Sequence, residues 1–146
     1  MMIEGIQVTP LKILKNPSGD VMRGIRSDEN QFEGFGEVYF SKILSDKIKG
    51  WKYHKEMTMN LIVISGEVKF VVFDDRKNSN TKSQFDEYIL SCNKYSRLTI
   101  PPKVWIAFKG LSLGESIIMN FSNILHDDQE VVTKEINELS YNWKTL

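Results

Sequence analysis

Short apolar runs, separated by turn residues, make up most of the chain and predict β-strands. The run MNLIVIS at 59–65 is apolar on both faces and rich in β-branched residues, which is typical of a strand buried inside a sandwich. After a break at Gly66 comes VKFVVFD, in which alternate side chains face opposite sides: Val68, Phe70 and Val72 on one, and Lys69, Val71 and Phe73 on the other. Two such runs around a short glycine turn predict a β-hairpin.

Five more runs have the same strand-like character: EVYFSKIL, EYILS, SRLTI before Pro101-Pro102, VWIAFKGL and ESIIMNFSN. The polar stretch 77–84 predicts a surface hairpin loop, and the segment DDQEVVTKEINEL has weak helical character. Many strands with this little helix predict an all-β fold, either a β-sandwich or a jelly-roll barrel, with a short C-terminal helical segment. We expect a single domain over 1–146, since this length suits one substantial core.

Charge and composition narrow the classes of function. The 19 lysines and arginines balance the 19 aspartates and glutamates, so no net field favours nucleic acid or an anionic membrane as a partner. Cys92 is the only cysteine, which excludes an internal disulfide and a thiolate zinc site. Neither a signal peptide nor an apolar run long enough to span a bilayer is visible, so we expect a cytoplasmic protein.

The stretch KGWKYHKEM contains the most suggestive chemistry, because it holds one of only two histidines. Lys52 and His54 are two residues apart, so on a strand their side chains face the same side. Inside a barrel, the ammonium would keep the imidazole neutral and ready to abstract a proton, and would stabilise an enolate oxygen. The alternative is a solvated pair at a sheet edge, which is the commoner situation for such residues.

Other polar residues allow less specific interpretations. His126 in NILHDDQE would form a dyad or a metal patch with the aspartates that follow, or Asp127 or Asp128 would simply cap a turn that starts the C-terminal helix. Two distant histidines without an HxH pair make a poor metal site, so we expect no metal. Arg23 and Arg26 are candidates for phosphate contacts.

Two further groups have mainly structural interpretations. Trp105 is expected to be core or pocket lining, with stacking on a nucleotide base as the functional alternative. Asp74 and Arg76, at the end of a strand, predict a structural ion pair and a turn.

Taken in order, four stretches resemble the sugar-nucleotide 3,5-epimerases: GWKYH…NLIVISGEVKFVVFDDR, RLTIPPKVWIAFKGL, NILHDDQE and INELSYNW. The type member of that family, dTDP-4-dehydrorhamnose 3,5-epimerase, acts on dTDP-4-dehydro-6-deoxyglucose on the way to dTDP-rhamnose. The resemblance runs from about Val8 to Trp143. It implies a cupin jelly roll, a homodimer, and activity without a metal or other cofactor.

The resemblance also implies roles for single residues. His54 takes the place of the histidine base in an RGLH-like motif, and Trp51 stands where that motif has arginine. The family's HGF reads Ile106-Ala107-Phe108 here, so a second histidine is absent. The tyrosine that acts as general acid in the family falls near Ile124 or Leu125 here. Three residues could replace it: Tyr39, Tyr53 and His126. Substrate contacts are expected from Arg23, Arg26, Tyr53 and Trp105.

These departures change the expected reaction more than the expected substrate. A single epimerisation or a 3,4-ketoisomerisation needs one base and a group that stabilises an enediolate, and His54 and Lys52 would supply both. The sequence therefore predicts an isomerase or epimerase of nucleotide-linked 4-keto-6-deoxyhexoses, serving bacterial surface-polysaccharide synthesis. The alternative is a sugar-binding cupin that has lost its acid and does not catalyse. In either case, apolar strand edges such as EVYFSKIL favour a homodimer.

Overall fold

Nearly all regular structure in the chain is β, in a computed structural model that describes residues 2–144. The elements are β1 (Gln7–Pro10), β2 (Ile13–Leu14), β3 (Val21–Met22), β4 (Glu37–Leu44), β5 (Ile48–His54), β6 (Met59–Ser65), β7 (Glu67–Phe73), β8 (Phe85–Ser91), β9 (Ser96–Ile100), β10 (Trp105–Gly110), β11 (Glu115–Ser122), β12 (Val131–Thr133) and a 3-10 turn (Ile136–Glu138). All seven strand-like runs in the sequence form strands.

Two five-stranded antiparallel sheets face each other. The first has the order β1-β9-β6-β11-β4 and the second the order β12-β5-β10-β7-β8, while β2 and β3 form a separate two-stranded hairpin. From β4 to β7, successive strands alternate between the two sheets, whereas β7 and β8 pair with each other. The hairpin predicted across Gly66 is therefore wrong, because β6 and β7 lie in opposite sheets and pair with other strands. This arrangement confirms the predicted all-β jelly-roll sandwich.

The main core fills the space between the two sheets. Both sheets contribute buried side chains to it: Ile43, Leu61, Val63, Leu98, Ile100 and Ile118 from the first sheet, and Val68, Phe70, Val72, Leu90 and Ile106 from the second. The alternation predicted for β7 is confirmed, since Val68, Phe70 and Val72 lie in this core and Val71 and Phe73 lie on the opposite face. Each such side chain stabilises the fold by about 1.5–3 kcal/mol on burial.

The outer face of the second sheet carries a second, aromatic core, which we call the outer aromatic cluster. It contains Trp51, Val71, Trp105 and Ala107, packed against Tyr53, Phe73, Phe85, Ile136, Leu139, Tyr141 and Trp143. Trp51 is fully buried and donates its indole N–H to the carbonyl oxygen of Ile136 at 3.2 Å. The chain after β12 therefore covers this face, so the sheet is buried on both sides.

The first sheet is less completely covered along strand β4, which lies at its edge. Tyr39, Ser41 and Ile43 face the other sheet, whereas Val38 and Phe40 point outward, and Phe40 is 59% exposed. Of the aliphatic and phenylalanine side chains of this run, Ile43 lies on the inner face, whereas Val38, Phe40 and Leu44 lie on the outer face.

The C-terminal part of the chain contains less helix than its sequence suggested. Only Ile136–Glu138 forms a turn of 3-10 helix, and Val131–Thr133 pairs with β5 as a strand. Asp127 starts a turn rather than a helix, since its carboxylate accepts the backbone N–H of Gln129 at 2.9 Å. The reason is that pairing with β5 satisfies the backbone of this segment and buries Glu130. Within residues 2–144, no helix has the length and apolar character needed to cross a membrane.

The predicted hairpin loop and ion pair both occur. Residues 77–84 join β7 to β8, which pair along their whole length. Asp74 is fully buried at the base of this loop and binds Arg76 at 2.8 Å and the hydroxyl of Thr81 at 2.6 Å. Burial raises the pKa of Asp74, but hydrogen bonds from Arg76, Ser79 and Thr81 outweigh it and hold the pKa well below its usual range.

Candidate active site

A cavity of about 140 Å³ opens between the two sheets. Its polar lining consists of Tyr39 and Ser41 from β4, Lys49 and Lys52 from β5, and Asn120 from β11. The rest of its wall is apolar: Met59, Leu61, Phe70, Ile106, Phe108 and Ile118. Such a mixture of an apolar wall and a few convergent polar groups is typical of a small-molecule site.

Strand β5 reaches the cavity because Gly50 lets it run very close to β10. Gly50 has a φ of +130°, and a Cβ added there would lie 2.5 Å from the Cβ of Ala107. No other residue fits without moving one of the two strands. This glycine therefore fixes the position of the lysines on either side of it.

Lys52 and His54 share the inner face of β5, as their spacing predicts. In the register between β5 and β10, Lys52 lies opposite Ile106 and Tyr53 lies opposite Trp105. Ile106 faces the cavity and the main core, whereas Trp105 belongs to the outer aromatic cluster. Lys52 thus lines the cavity, and His54 follows on the same side about 6.6 Å further along the strand.

His54 is buried and paired with a carboxylate. Only 4% of the residue is exposed, and its Nδ1 lies 2.6 Å from Oε1 of Glu130, which is itself 7% exposed. The other oxygen of Glu130 accepts the backbone N–H groups of Lys55 at 2.7 Å and Glu56 at 3.2 Å. The pair is therefore a fixed His–carboxylate dyad and not a solvated edge.

Hydrogen bonding to the carboxylate of Glu130 determines the tautomer of His54. Burial raises the pKa of Glu130, but hydrogen bonds from His54 and from two backbone amides lower it on balance, so the group is a carboxylate at neutral pH. A carboxylate only accepts, so Nδ1 of His54 carries the proton. In the neutral ring, Nε2 then has a free lone pair, which is the arrangement of a general base.

Sequence reasoning missed Glu130. This residue precedes β12, whose Val131 pairs with His54 in the second sheet. The dyad partners are 76 residues apart in the chain, so no local spacing indicates the contact. The only sequence signal was its place in NILHDDQE, where the neighbouring histidine drew attention instead.

Tyr39 and Asn120 form the polar wall of the cavity on the first sheet. The Asn120 amide donates to the Tyr39 hydroxyl at 2.8 Å. Burial raises the pKa of Tyr39, while the hydrogen bond from Asn120 opposes this rise. Tyr39 thus keeps its proton at neutral pH and faces the dyad's sheet across the cavity.

The other residues singled out in the sequence lie elsewhere. His126 is on the surface, with Nε2 2.9 Å from Asp128 and its side chain 52% exposed. Tyr53 and Trp105 pack against each other in the outer aromatic cluster, with ring centroids 5.1 Å apart. Strand alternation puts both on the face of the sheet opposite the cavity, so within one chain neither lines it. Trp105 has the core position that was one of its predicted alternatives.

The two arginines are also outside the cavity. Arg26 forms a surface ion pair with Asp28 at 2.5 Å, and Arg23 lines a separate surface groove with Lys12. Within one chain, therefore, neither guanidinium reaches the Tyr39–Lys52 cavity. Over residues 2–144, we find no group of three or more histidine, cysteine, aspartate or glutamate side chains arranged to hold a metal ion.

The sequence matches a known protein family over most of its length. Residues 4–140 match the family described as FdtA, WxcM-like, C-terminal, and the chain therefore belongs to it.

Individual relatives agree with this assignment. The spore coat polysaccharide biosynthesis protein SpsL of Bacillus subtilis (strain 168) is 27% identical over 148 residues, which cover 99% of this chain and 98% of SpsL. Agl13 of Haloferax volcanii, named as a probable low-salt glycan biosynthesis epimerase, is 24% identical over 147 residues, covering 97% of this chain and 94% of Agl13. The crystal structure of a dTDP sugar isomerase from Desulfovibrio desulfuricans G20 superposes with a TM-score of 0.93 at 29% identity, covering 100% of this chain and 96% of that one. The resemblance to sugar-nucleotide epimerases and isomerases is thus confirmed.

Proposed function

We propose that the protein is an isomerase of nucleotide-linked 4-keto-6-deoxyhexoses that works by removing a proton next to the keto group. The observation that carries the proposal is the buried dyad of His54 and Glu130, which follows Lys52 along strand β5, beside a cavity lined by Lys52 on one sheet and Tyr39 on the other. The names of SpsL and Agl13 support a role in making sugars for surface polysaccharides or glycans, and the isomerase from Desulfovibrio supports a dTDP-linked substrate. A cytoplasmic location suits such a substrate and is part of the proposal.

The reaction begins with the base. Nε2 of His54 takes the proton from the carbon beside the keto group, and the C–H electron pair moves toward the keto oxygen to form an enolate. The ammonium of Lys52, two residues before His54 on the same face, stabilises the negative charge on that oxygen. Glu130 holds the imidazole in position and stabilises the imidazolium that forms.

Proton return decides the product. Tyr39 belongs to β4 and His54 to β5, and these strands lie in the two facing sheets. A sugar ring held between them presents opposite faces to the base and to the Tyr39 hydroxyl. Delivery of the Tyr39 proton to the same carbon inverts that centre. In an enediolate, delivery to the neighbouring carbon moves the keto group when the hydroxyl proton of the first carbon passes to the oxygen of the second. Solvent then reprotonates the tyrosinate and accepts the proton from His54.

Proton exchange tests this proposal directly. Incubating the protein with dTDP-4-keto-6-deoxyglucose in deuterated water should place deuterium at C3 or C5 of the sugar, which NMR or mass spectrometry detects. Binding of the nucleotide sugar without any exchange at either carbon would contradict catalysis and favour a sugar-binding protein that has lost its activity.

A homodimer is a second part of the proposal. Strand β4 is an edge strand that exposes Val38, Phe40 and Leu44, and pairing with a second copy would cover it. Sedimentation at micromolar concentration should give twice the chain mass of 16.9 kDa. A monomer under these conditions would contradict the proposal.

A further inference from the structure

The hydrogen bond between Asn120 and Tyr39 has a direction that its surroundings fix. The side chain of Asn120 is buried, and its Oδ1 accepts the backbone N–H of Asn60 at 3.1 Å. Because a backbone N–H only donates, the atom that receives it has to be the carbonyl oxygen of the amide. The other end of the amide is therefore the NH2 group, which donates to Oη of Tyr39 at 2.8 Å.

Asn60 is held in place by contacts of its own. Its side-chain oxygen accepts the hydroxyl of Thr99 at 2.8 Å, and its side-chain nitrogen donates to the carbonyl oxygen of Phe121 at 3.3 Å. Turning the Asn120 amide around would set two N–H donors face to face at this buried position. Strand β6, which flanks β11 on the side opposite β4 and Tyr39, thus imposes the orientation of Asn120.

This orientation has a consequence for the Tyr39 hydroxyl. A phenol has one proton to donate and two lone pairs that accept. Asn120 donates to one of these lone pairs, so the hydroxyl proton of Tyr39 does not point at Asn120. Both side chains line the cavity, so the hydroxyl proton is free to point into it.

We infer that Asn120 is a positioning residue, which turns the hydroxyl proton of Tyr39 toward the bound sugar so that Tyr39 acts as the general acid. This inference rests on the proposed isomerisation. In the step concerned, the Tyr39 O–H bond breaks, its proton forms a C–H bond with the enolate carbon, and the electron pair stays on the tyrosinate oxygen. The N–H of Asn120 remains bound to that oxygen and stabilises its charge.

The substitution Asn120→Asp reverses the polarity of this contact while keeping the size of the side chain. One carboxylate oxygen still accepts the N–H of Asn60, but the other now accepts the O–H of Tyr39 and draws its proton away from the cavity. The charged groups around Tyr39 stay as they are: Lys49 and Lys52 from β5, Glu130 of the dyad, and Glu37 on the same strand. Any change is therefore due to position 120.

The rate of product formation reports on the general acid, Tyr39, and the rate of deuterium exchange reports on the base, His54. In Asn120→Asp we expect product formation to fall about 10- to 100-fold, part of the roughly 10²- to 10⁴-fold that a positioned acid contributes. Deuterium exchange at the substrate carbon, which depends on His54, should stay close to the wild-type rate. In a Tyr39→Phe background the same substitution should cause no further loss, since the two residues act as one unit.

A readout without substrate tests the contact itself. The chain has five tyrosines, and labelling them with ¹³C at Cζ follows each phenol by NMR, with Tyr39→Phe assigning the signal. In Asn120→Asp, Tyr39 should titrate at higher pH than in the wild type, because a carboxylate stabilises the O–H and repels the phenolate. Asn120→Ala removes the donor to Tyr39 together with the acceptor for the N–H of Asn60. It adds no charge, should also raise this pKa, and provides the test if the aspartate variant folds poorly.

The outcomes distinguish this inference from the proposed function. An unchanged Tyr39 titration in both variants, or additive losses in the double variant, would refute positioning by Asn120. Absence of exchange in the wild type would instead refute the proposed isomerisation. The matched control is Asn123→Asp, which adds the same charge but keeps the acceptor for the N–H of Thr58, bound at 2.8 Å. This control should match the wild type in both rates.

Discussion

The two histidines of the chain each pair with a carboxylate, but in very different surroundings. His54 and Glu130 are 2.6 Å apart, with side chains only 5% and 7% exposed. His126 and Asp128 are 2.9 Å apart, with side chains 52% and 96% exposed. The pairing chemistry is the same, so the difference lies in what water and the backbone do around it.

Burial and backbone anchoring distinguish the first pair from the second. Glu130 is fixed by two backbone N–H groups, so its second oxygen meets Nδ1 of His54 in one orientation. Asp128 is almost fully in solvent, where water competes for its oxygens and the pair contributes little. A histidine next to a carboxylate is therefore informative only when the structure holds both in place.

The largest expected effect comes from removing the base. His54→Asn keeps a donor for Glu130 but has no nitrogen that accepts a proton near neutral pH, so substrate deuterium exchange should fall about 10²- to 10⁴-fold. Circular dichroism and thermal melting should confirm that the variant is folded. A folded variant that exchanges substrate protons at the wild-type rate would contradict the role of His54, and Lys52 would then be the next base to test.

A smaller loss is expected when only the partner changes. Glu130→Gln turns the group facing Nδ1 into a donor, which favours the tautomer with its proton on Nε2. Residues that orient metal-binding histidines are typically worth about 10- to 100-fold, and we expect a fall of at least this size in the exchange rate. Glu130→Asp, which keeps a carboxylate, should retain more activity than the glutamine variant. Equal activities of the two variants would show that the charge is unimportant.

The free energy of unfolding at low pH should depend on the carboxylate of Glu130. The pKa of Glu130 is lower in the folded protein than its ordinary value of 4.5, so its carboxylate stabilises the fold fully above that value. This contribution is lost as the pH falls through the folded-state pKa. The difference in unfolding free energy between wild type and Glu130→Gln should therefore shrink below pH 4.5, as measured by urea unfolding. A difference independent of pH would contradict the bound carboxylate.

The smallest effect is expected at the exposed pair. His126→Asn should change the unfolding free energy by about 0.5 kcal/mol or less, as is usual for surface substitutions, and should leave the exchange rate unchanged. Chemical denaturation and the same deuterium assay measure both. A large loss of activity in His126→Asn would reverse the comparison and return this residue to the site.

The same pairs show what the sequence reveals and what it hides. His126 and Asp128 are neighbours in the chain, so their possible pairing was visible at once, whereas Glu130 is 76 residues from His54 and became apparent only through the register of β12 with β5. Strand positions were predictable because alternation and β-branched runs are local signals.

The assignment of faces was only partly predictable. Lys52 and His54 were correctly expected on one side, but Tyr53 and Trp105, which were also candidates for substrate contacts, lie in the outer aromatic cluster. Alternation determines which residues share a face, but the second sheet is covered on both faces, so hydrophobicity does not show which one bounds the cavity. A similar limit applies to Tyr39, which faces inward on a strand whose larger apolar side chains face outward.

Because His54 and Glu130 are 76 residues apart, the dyad forms only when two distant parts of the chain come together. Leu113, between β10 and β11, is 96% exposed in a connecting loop, and a cut there would leave His54 and Glu130 on different fragments. The second fragment carries β11, which pairs with both β4 and β6 of the first, so the fragments have a large surface on which to recombine. Isomerase activity would then appear only where the two pieces meet, as in a split-enzyme reporter.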